Sequence, residues 1–205
     1  MAPKDWPPGV VYLTSPVYSR RLKAEELTQL NAAPGNLTAA ATGLILKSTQ
    51  PTAKVKITPI TAASHPANGQ YGLFAAEHLP PDTFVVTYIG YVHPAEETDK
   101  ESDYDLSIDR ELGIGVDAAG MGNEARFVND YRGIASAPNA EFRDIWLEFP
   151  KTEPEKRLGI FVLRAGKAGK RAQGIRKGEE ILVSYGKGFW TERRKQTTDP
   201  AHTQP

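Results

Sequence analysis

A mostly-β (α+β) domain with one short N-terminal helix is the fold this chain predicts, and three observations predict it. From Lys54 onward, apolar residues alternate with polar ones in short runs of period two. Clusters of Gly, Pro, Asn and Asp separate those runs at close spacing. Only Arg20–Ala32 carries apolar residues at a helical spacing.

The 205 residues leave room for one domain with an appendage. Residues 1–18 are rich in proline and aromatics, with Trp6, Tyr12 and Tyr18. The run Val10-Val11-Tyr12-Leu13 predicts an extended arm packing its rings on the main domain; a solvated tail is the alternative. Ser19 is a candidate N-cap. Leu22, Leu27 and Leu30 give the helical stripe, and Pro34-Gly35 stop it. Residues 36–51 form an Ala/Thr-rich connector with one strand at Leu44-Ile45-Leu46. Val55, Ile57 and Ile60 mark a strand, and His65-Pro66-Ala67-Asn68-Gly69 a turn. The glycine hairpin Gly69-Gln70-Tyr71-Gly72-Leu73-Phe74-Ala75 leads to a strand, Phe84 to Gly90. Ser102–Asp109 and Gly113–Asp117 are short strands, and Ala118–Ala125 a turn of helix. Ile145–Phe149 and Leu158–Leu163 form a hairpin, and Ile181-Leu182-Val183 is the last strand.

Composition removes several functions. The formal net charge is zero, so the chain as a whole is no polyanion binder. There is no cysteine, hence no disulfide and no thiolate zinc site; the four histidines are scattered without ligand spacing. No apolar run spans a bilayer. The opening Met1–Pro8 lacks the apolar core of a signal peptide, so an intracellular protein is expected and the Asn36-Leu37-Thr38 sequon is read as chance.

Two stretches carry the chemistry. The first runs Arg126-Phe127-Val128-Asn129-Asp130-Tyr131-Arg132, then Pro138-Asn139 and Phe142. The second is Gly178-Glu179-Glu180-Ile181-Leu182-Val183-Ser184-Tyr185-Gly186. Together with the glycine hairpin upstream, they resemble the signatures of SET-domain protein-lysine (histone-lysine) N-methyltransferases, R-F-[IV]-N-H-[SD]-C-x-P-N-x-x-F and G-E-E-[IL]-x-x-[DS]-Y-G. The cysteine-rich zinc-binding segments that often flank that domain are missing here. The resemblance covers Lys54 to Trp190 and divides the chain into an N-terminal arm with one short helix (1–53), a SET domain (54–190) and a polar C-terminal tail (191–205).

The resemblance implies a β-clip-like fold of short curved sheets with a C-terminal pseudoknot, in which the Tyr185 segment threads beneath a loop beside Asn129. It implies methyl transfer from S-adenosyl-L-methionine to a lysine ε-amine, with no metal. Tyr185 would orient the amine, and Tyr88 would line the lysine channel. Gln70, Tyr71 and Gly72 would receive the methionine part of the cofactor, and Tyr104 would help hold it. Asn129 and Asp130 would hold the amino group and adenine, and Arg126 and Phe127 would wall the site. Phe189 or Trp190 would cover the adenine, with Trp190 as a core plug the alternative.

A histone tail is the substrate class that the family favours, and a nuclear location follows from it. A non-histone protein substrate, or a catalytically inactive SET module acting as a chromatin scaffold, are the competing readings. The inactive reading is motivated by Asp130, which stands where the family has histidine, followed by Tyr131-Arg132 instead of Ser/Asp-Cys and a longer gap to Pro138. Asp130 would pair with Arg132 or Arg126. The basic stretch Arg164–Lys177 is either a solvated loop or a patch touching nucleosomal DNA phosphates. The acidic run Glu96–Glu101 is either a surface loop or one wall of a groove that attracts a basic peptide.

Overall fold

Short β-branched and aromatic pairs begin the chain's first strands. The structure, a computed structural model, describes residues 2–32, 45–47, 54–150, 153–167, 171–186 and 189–190. β1 (Val11–Tyr12) and β2 (Val17–Tyr18) lie in the arm. Trp6 seats that arm: its ring meets Tyr12 at 4.9 Å and Phe127 at 5.4 Å, both edge-on, and its indole N–H donates to the Val10 carbonyl at 2.7 Å.

The helix starts later than its sequence signal. α1 is Ala24–Asn31, not Arg20–Ala32. Ser19 caps a turn instead, its hydroxyl accepting the Arg21 N–H at 3.0 Å. Lys23 is the N-cap, because the Glu26 carboxylate three residues on accepts its N–H at 2.8 Å. Glu25 and Glu26 also favour the positive end of the helix. Leu30 packs in the core from α1, while Leu22 packs there from the turn before it.

β3 (Ile45–Lys47) precedes β4 (Val55–Pro59) and β5 (Tyr71–Ala75), which pair antiparallel. β6 (Phe84–Tyr88) and β7 (Tyr91–Pro94) follow, then β8 (Asp105–Asp109) and β9 (Ile114–Asp117). β10 (Met121–Gly122) and a 3-10 turn, Glu124–Phe127, occupy the stretch expected as one helical turn over Ala118–Ala125. Its first half is drawn into a strand by parallel pairing with β1, a partner over a hundred residues away. β11 (Asn129–Asp130), β12 (Ala140–Glu148), β13 (Glu155–Val162) and β14 (Leu182–Val183) complete the series.

Two four-stranded sheets, ordered β3-β12-β13-β6 and β2-β7-β9-β8, hold most of the core. β13 is buried almost throughout because both its faces are covered. Leu158, Ile160 and Val162 enter the main core, whereas Phe161 joins Ile145 and Leu147 on the opposite side. Leu73, Val85, Ile160 and Ile181 are fully buried, each contributing about 1.5–3 kcal/mol of transfer free energy.

The C-terminal strand brings the motifs together. β14 pairs in parallel with β11. On its other flank the Leu182 N–H donates to Asn139 Oδ1 at 2.8 Å, and its carbonyl accepts the Asn139 N–H at 3.0 Å. Just upstream the backbone runs along β5, with Ala75 N–H to Glu179 O at 2.9 Å and Ile181 N–H to Leu73 O at 2.8 Å. The glycine hairpin, the Asn129 segment and the Glu180 segment are thus fastened to one another by backbone hydrogen bonds. Among the described residues no helix is long and apolar enough to cross a membrane. Residues 191–205, including the expected tail, lie outside the described residues.

Candidate active site

Where these three segments meet there is a cavity of about 500 Å³. Ten of the residues expected around the cofactor line it: Gln70, Tyr71, Tyr104, Arg126, Phe127, Asn129, Asp130, Tyr185, Phe189 and Trp190. The arm contributes Pro7 and Val10 to the same wall, which the local sequence did not signal. Arg126 is buried at the end of the 3-10 turn. Its Nε donates to the Ala118 carbonyl at 2.8 Å and its Nη2 to that of Ala119 at 3.1 Å. The guanidinium lies 4.3 Å from the Tyr104 ring centre and 4.9 Å from that of Phe127. A charge so placed packs against both rings of the wall.

Asn129 is held by its amide nitrogen. Nδ2 donates to Glu180 Oε1 at 2.8 Å and to the Tyr71 carbonyl at 3.4 Å. Glu180 is a residue whose role the sequence reading did not assign, although it stands inside the second motif.

Asp130 gathers four donors. Its Oδ2 accepts the Tyr185 N–H at 2.7 Å and the Trp190 indole N–H at 3.2 Å. Its Oδ1 accepts the Arg132 N–H at 2.9 Å, and the Arg132 guanidinium reaches both oxygens at 3.0 and 2.8 Å. Arg132, not Arg126, is the cationic partner. Burial pushes the Asp130 carboxyl up, but these donors outweigh it and hold the group below its ordinary value. Tyr185 donates from its hydroxyl to the Val128 carbonyl at 2.7 Å, and its ring meets Phe189 edge-on at 4.9 Å. Burial first, then the Asp130 charge, push this hydroxyl well above a normal tyrosine, so it keeps its proton. Trp190 is half-buried and lines the cavity beside Arg132.

Two expected site residues do not line this cavity. Tyr88 is only 4 % exposed, and its hydroxyl donates to the Tyr104 carbonyl at 2.8 Å; its ring abuts Phe142 edge-on at 5.9 Å. Tyr88 therefore braces Tyr104 from below. Gly72 sits in β5 behind the wall, where an added Cβ would lie 2.7 Å from Glu180 Oε1 and 2.8 Å from the Phe74 ring. Its contribution is room for the Glu180 carboxylate. Gly72→Ala is accordingly expected to destabilise the chain by about 1–3 kcal/mol in urea unfolding; an unshifted midpoint would contradict this packing.

Several members of the charged stretches have partners. Glu97 accepts the Tyr91 hydroxyl at 2.9 Å and pairs with Arg21 at 3.3 Å. Arg164 pairs with Asp82 at 3.2 Å, and Arg176 donates to Gln173 at 2.8 Å.

The family model described as SET domain matches residues 70–186, more than half of the chain. The chain belongs to the SET-domain family. β5, the Asn129 segment and the Glu180 segment all lie within the matched residues. A search of curated proteins gives no match. Among solved structures, the SET domain resembles chains of the Chaetomium thermophilum polycomb repressive complex 2. One crystal structure is 25 % identical over 66 % of this chain and 15 % of that one, with a TM-score of 0.49. A second, of that complex in an autoinhibited conformation bound to S-adenosylmethionine, is 25 % identical over 70 % of this chain and 16 % of that one, also at 0.49. The chain therefore spans about one-sixth of the length of those it matches.

Proposed function

We propose that this SET domain is an S-adenosylmethionine-dependent methyltransferase acting on lysine ε-amines of a protein, with a histone tail as its substrate class and the nucleus as its place of work. The observation that supports this most directly is the single cavity shared by Tyr185, Asn129 and the glycine hairpin. Its volume, about 500 Å³, suits a nucleoside-sized ligand. Its wall is mixed in the way such a ligand requires: Phe127, Ile134 and Trp190 for an adenine, Asn129 and Gln70 for an amino-acid end. The working unit on this reading is residues 54–190 together with the arm, which supplies part of the wall.

When bound, S-adenosylmethionine supplies an electrophilic methyl group on a sulfonium. The residues here need only align the acceptor amine and exclude water. Tyr185 does the aligning. Its proton is committed to the Val128 carbonyl, so its oxygen lone pairs remain to accept from an amine N–H. The acceptor ammonium would first have to give one proton to solvent, and the neutral amine would then take the methyl group as the S–CH3 bond breaks and the thioether, S-adenosylhomocysteine, leaves. Tyr104 and Phe127, each packed against the Arg126 guanidinium, supply aromatic wall to the cavity. Tyr88 serves from beneath by fixing Tyr104.

Asp130 supports an active enzyme over an inert scaffold, because its carboxylate positions the backbone of Tyr185 and the ring of Trp190. Calorimetry with S-adenosylhomocysteine tests the reading. Micromolar binding is expected, weakened by about tenfold or more in Asn129→Ala. An absence of heat at millimolar ligand would favour the scaffold instead.

A further inference from the structure

Behind the cavity, His65, Glu180 and Asn129 form a hydrogen-bonded chain whose first member the proposed reaction does not use. His65 lies in the turn between β4 and β5. Its side chain and that of Glu180 are 11 % and 10 % exposed. The His65 Nδ1 faces the Ala67 backbone N–H at 3.0 Å. A backbone N–H only donates, so Nδ1 is the acceptor, and in a neutral imidazole the proton then sits on Nε2. Nε2 is 3.0 Å from Glu180 Oε2, and it donates there. The other carboxylate oxygen accepts from Asn129 Nδ2 at 2.8 Å.

Each link restricts the next. Glu180 and the Tyr71 carbonyl, the two neighbours of the Asn129 amide nitrogen, only accept. The amide cannot flip without setting its oxygen against both, so Oδ1 is the atom left for a ligand. Glu180 is itself confined. Its flanking residues are laid along β5, and Gly72 leaves no space for a Cβ beside Oε1.

We propose that His65 is a positioning residue for the cofactor's amino-acid end: acting through Glu180, it holds the Asn129 amide so that Oδ1 meets an ammonium group. This rests on the cofactor reading above. His65 stands outside both motif stretches, in what the sequence marks only as a turn.

The test compares two ligands on the full chain by calorimetry: S-adenosylhomocysteine, and 5′-methylthioadenosine, which lacks the amino-acid end. His65→Leu and Glu180→Gln are expected to weaken S-adenosylhomocysteine by about tenfold and to leave 5′-methylthioadenosine unchanged. In Glu180→Gln the new amide meets a donor at either His65 or Asn129 whichever way it turns, so one bond is lost in every arrangement. His65→Gln keeps an N–H donor at similar reach and is expected to restore most of the affinity. That variant also keeps the test decisive should the leucine variant fail to fold. Equal weakening of both ligands, or a glutamine variant no better than leucine, would overturn the positioning role while leaving the cofactor reading intact. A wild-type chain that binds neither ligand would overturn both.

Discussion

Phenylalanine at Tyr185 is expected to slow methyl transfer by about a hundredfold while changing S-adenosylhomocysteine affinity by no more than about threefold. The variant removes one oxygen atom. In the structure that hydroxyl donates to the Val128 carbonyl, and Tyr185 is one of the residues lining the cavity. Its loss costs about 1 kcal/mol of stability, a small shift in an unfolding curve. The larger effect is on rate, because nothing then accepts a hydrogen from the lysine amine and fixes its lone pair toward the methyl group. Burial and the Asp130 charge hold the Tyr185 proton in place. The ratio of wild-type to variant rates should therefore stay flat across neutral and mildly alkaline pH. Mass spectrometry of a histone-tail peptide under single-turnover conditions reads this ratio. A phenylalanine variant as fast as wild type would end the assignment of Tyr185.

Asp130→Ala is expected to have the largest effect on stability, about 2–4 kcal/mol. The carboxylate accepts from the Tyr185 N–H, the Trp190 indole N–H and Arg132. Alanine leaves all three without that acceptor, and it frees the segment carrying Tyr185. The pH dependence has a definite sign. The native carboxyl is held below its ordinary value of 3.8, so its contribution is fully present above that value. It is lost as pH falls through the lower native value. Acid unfolding below about pH 4 should thus be shallower in Asp130→Asn than in wild type. Some acid dependence will remain: the Arg143 hydrogen bond also holds Asp82 low, and Asp109 is held low against its own burial by the Leu112 backbone N–H and then by Lys156. Identical acid curves for wild type and Asp130→Asn would show that the carboxylate carries no such load.

The Asp130 position shows how far residues alone could be read. Its departure from the family pattern is visible in sequence, and two arginines were available to pair with it. Only the fold separates them: Arg126 is turned onto the Ala118 and Ala119 carbonyls, and Arg132 is the one that reaches the carboxylate. The helix start is a similar case. Ser19 has the chemistry of an N-cap, yet Lys23 takes the position because Glu26 lies three residues on. Tyr88 and Gly72 were legible as motif residues but not as neighbours of the cavity, for a motif letter does not say which way a side chain points.

What the sequence determined by itself is the alternation that makes short strands, the turns between them, and the motif residues among those lining the cavity. Those follow from local periodicity and from the motif stretches, which a linear reading can see. The tertiary structure alone decided that Pro7 and Val10 close one side of the site with Trp6 packed on Phe127, that His65 stands behind Glu180, and that Asp130 holds Tyr185 and Trp190 together. These are contacts between residues scores of positions apart. They depend on how β1 is registered against β10, β5 against β4 and β11 against β14, and no local pattern encodes that register.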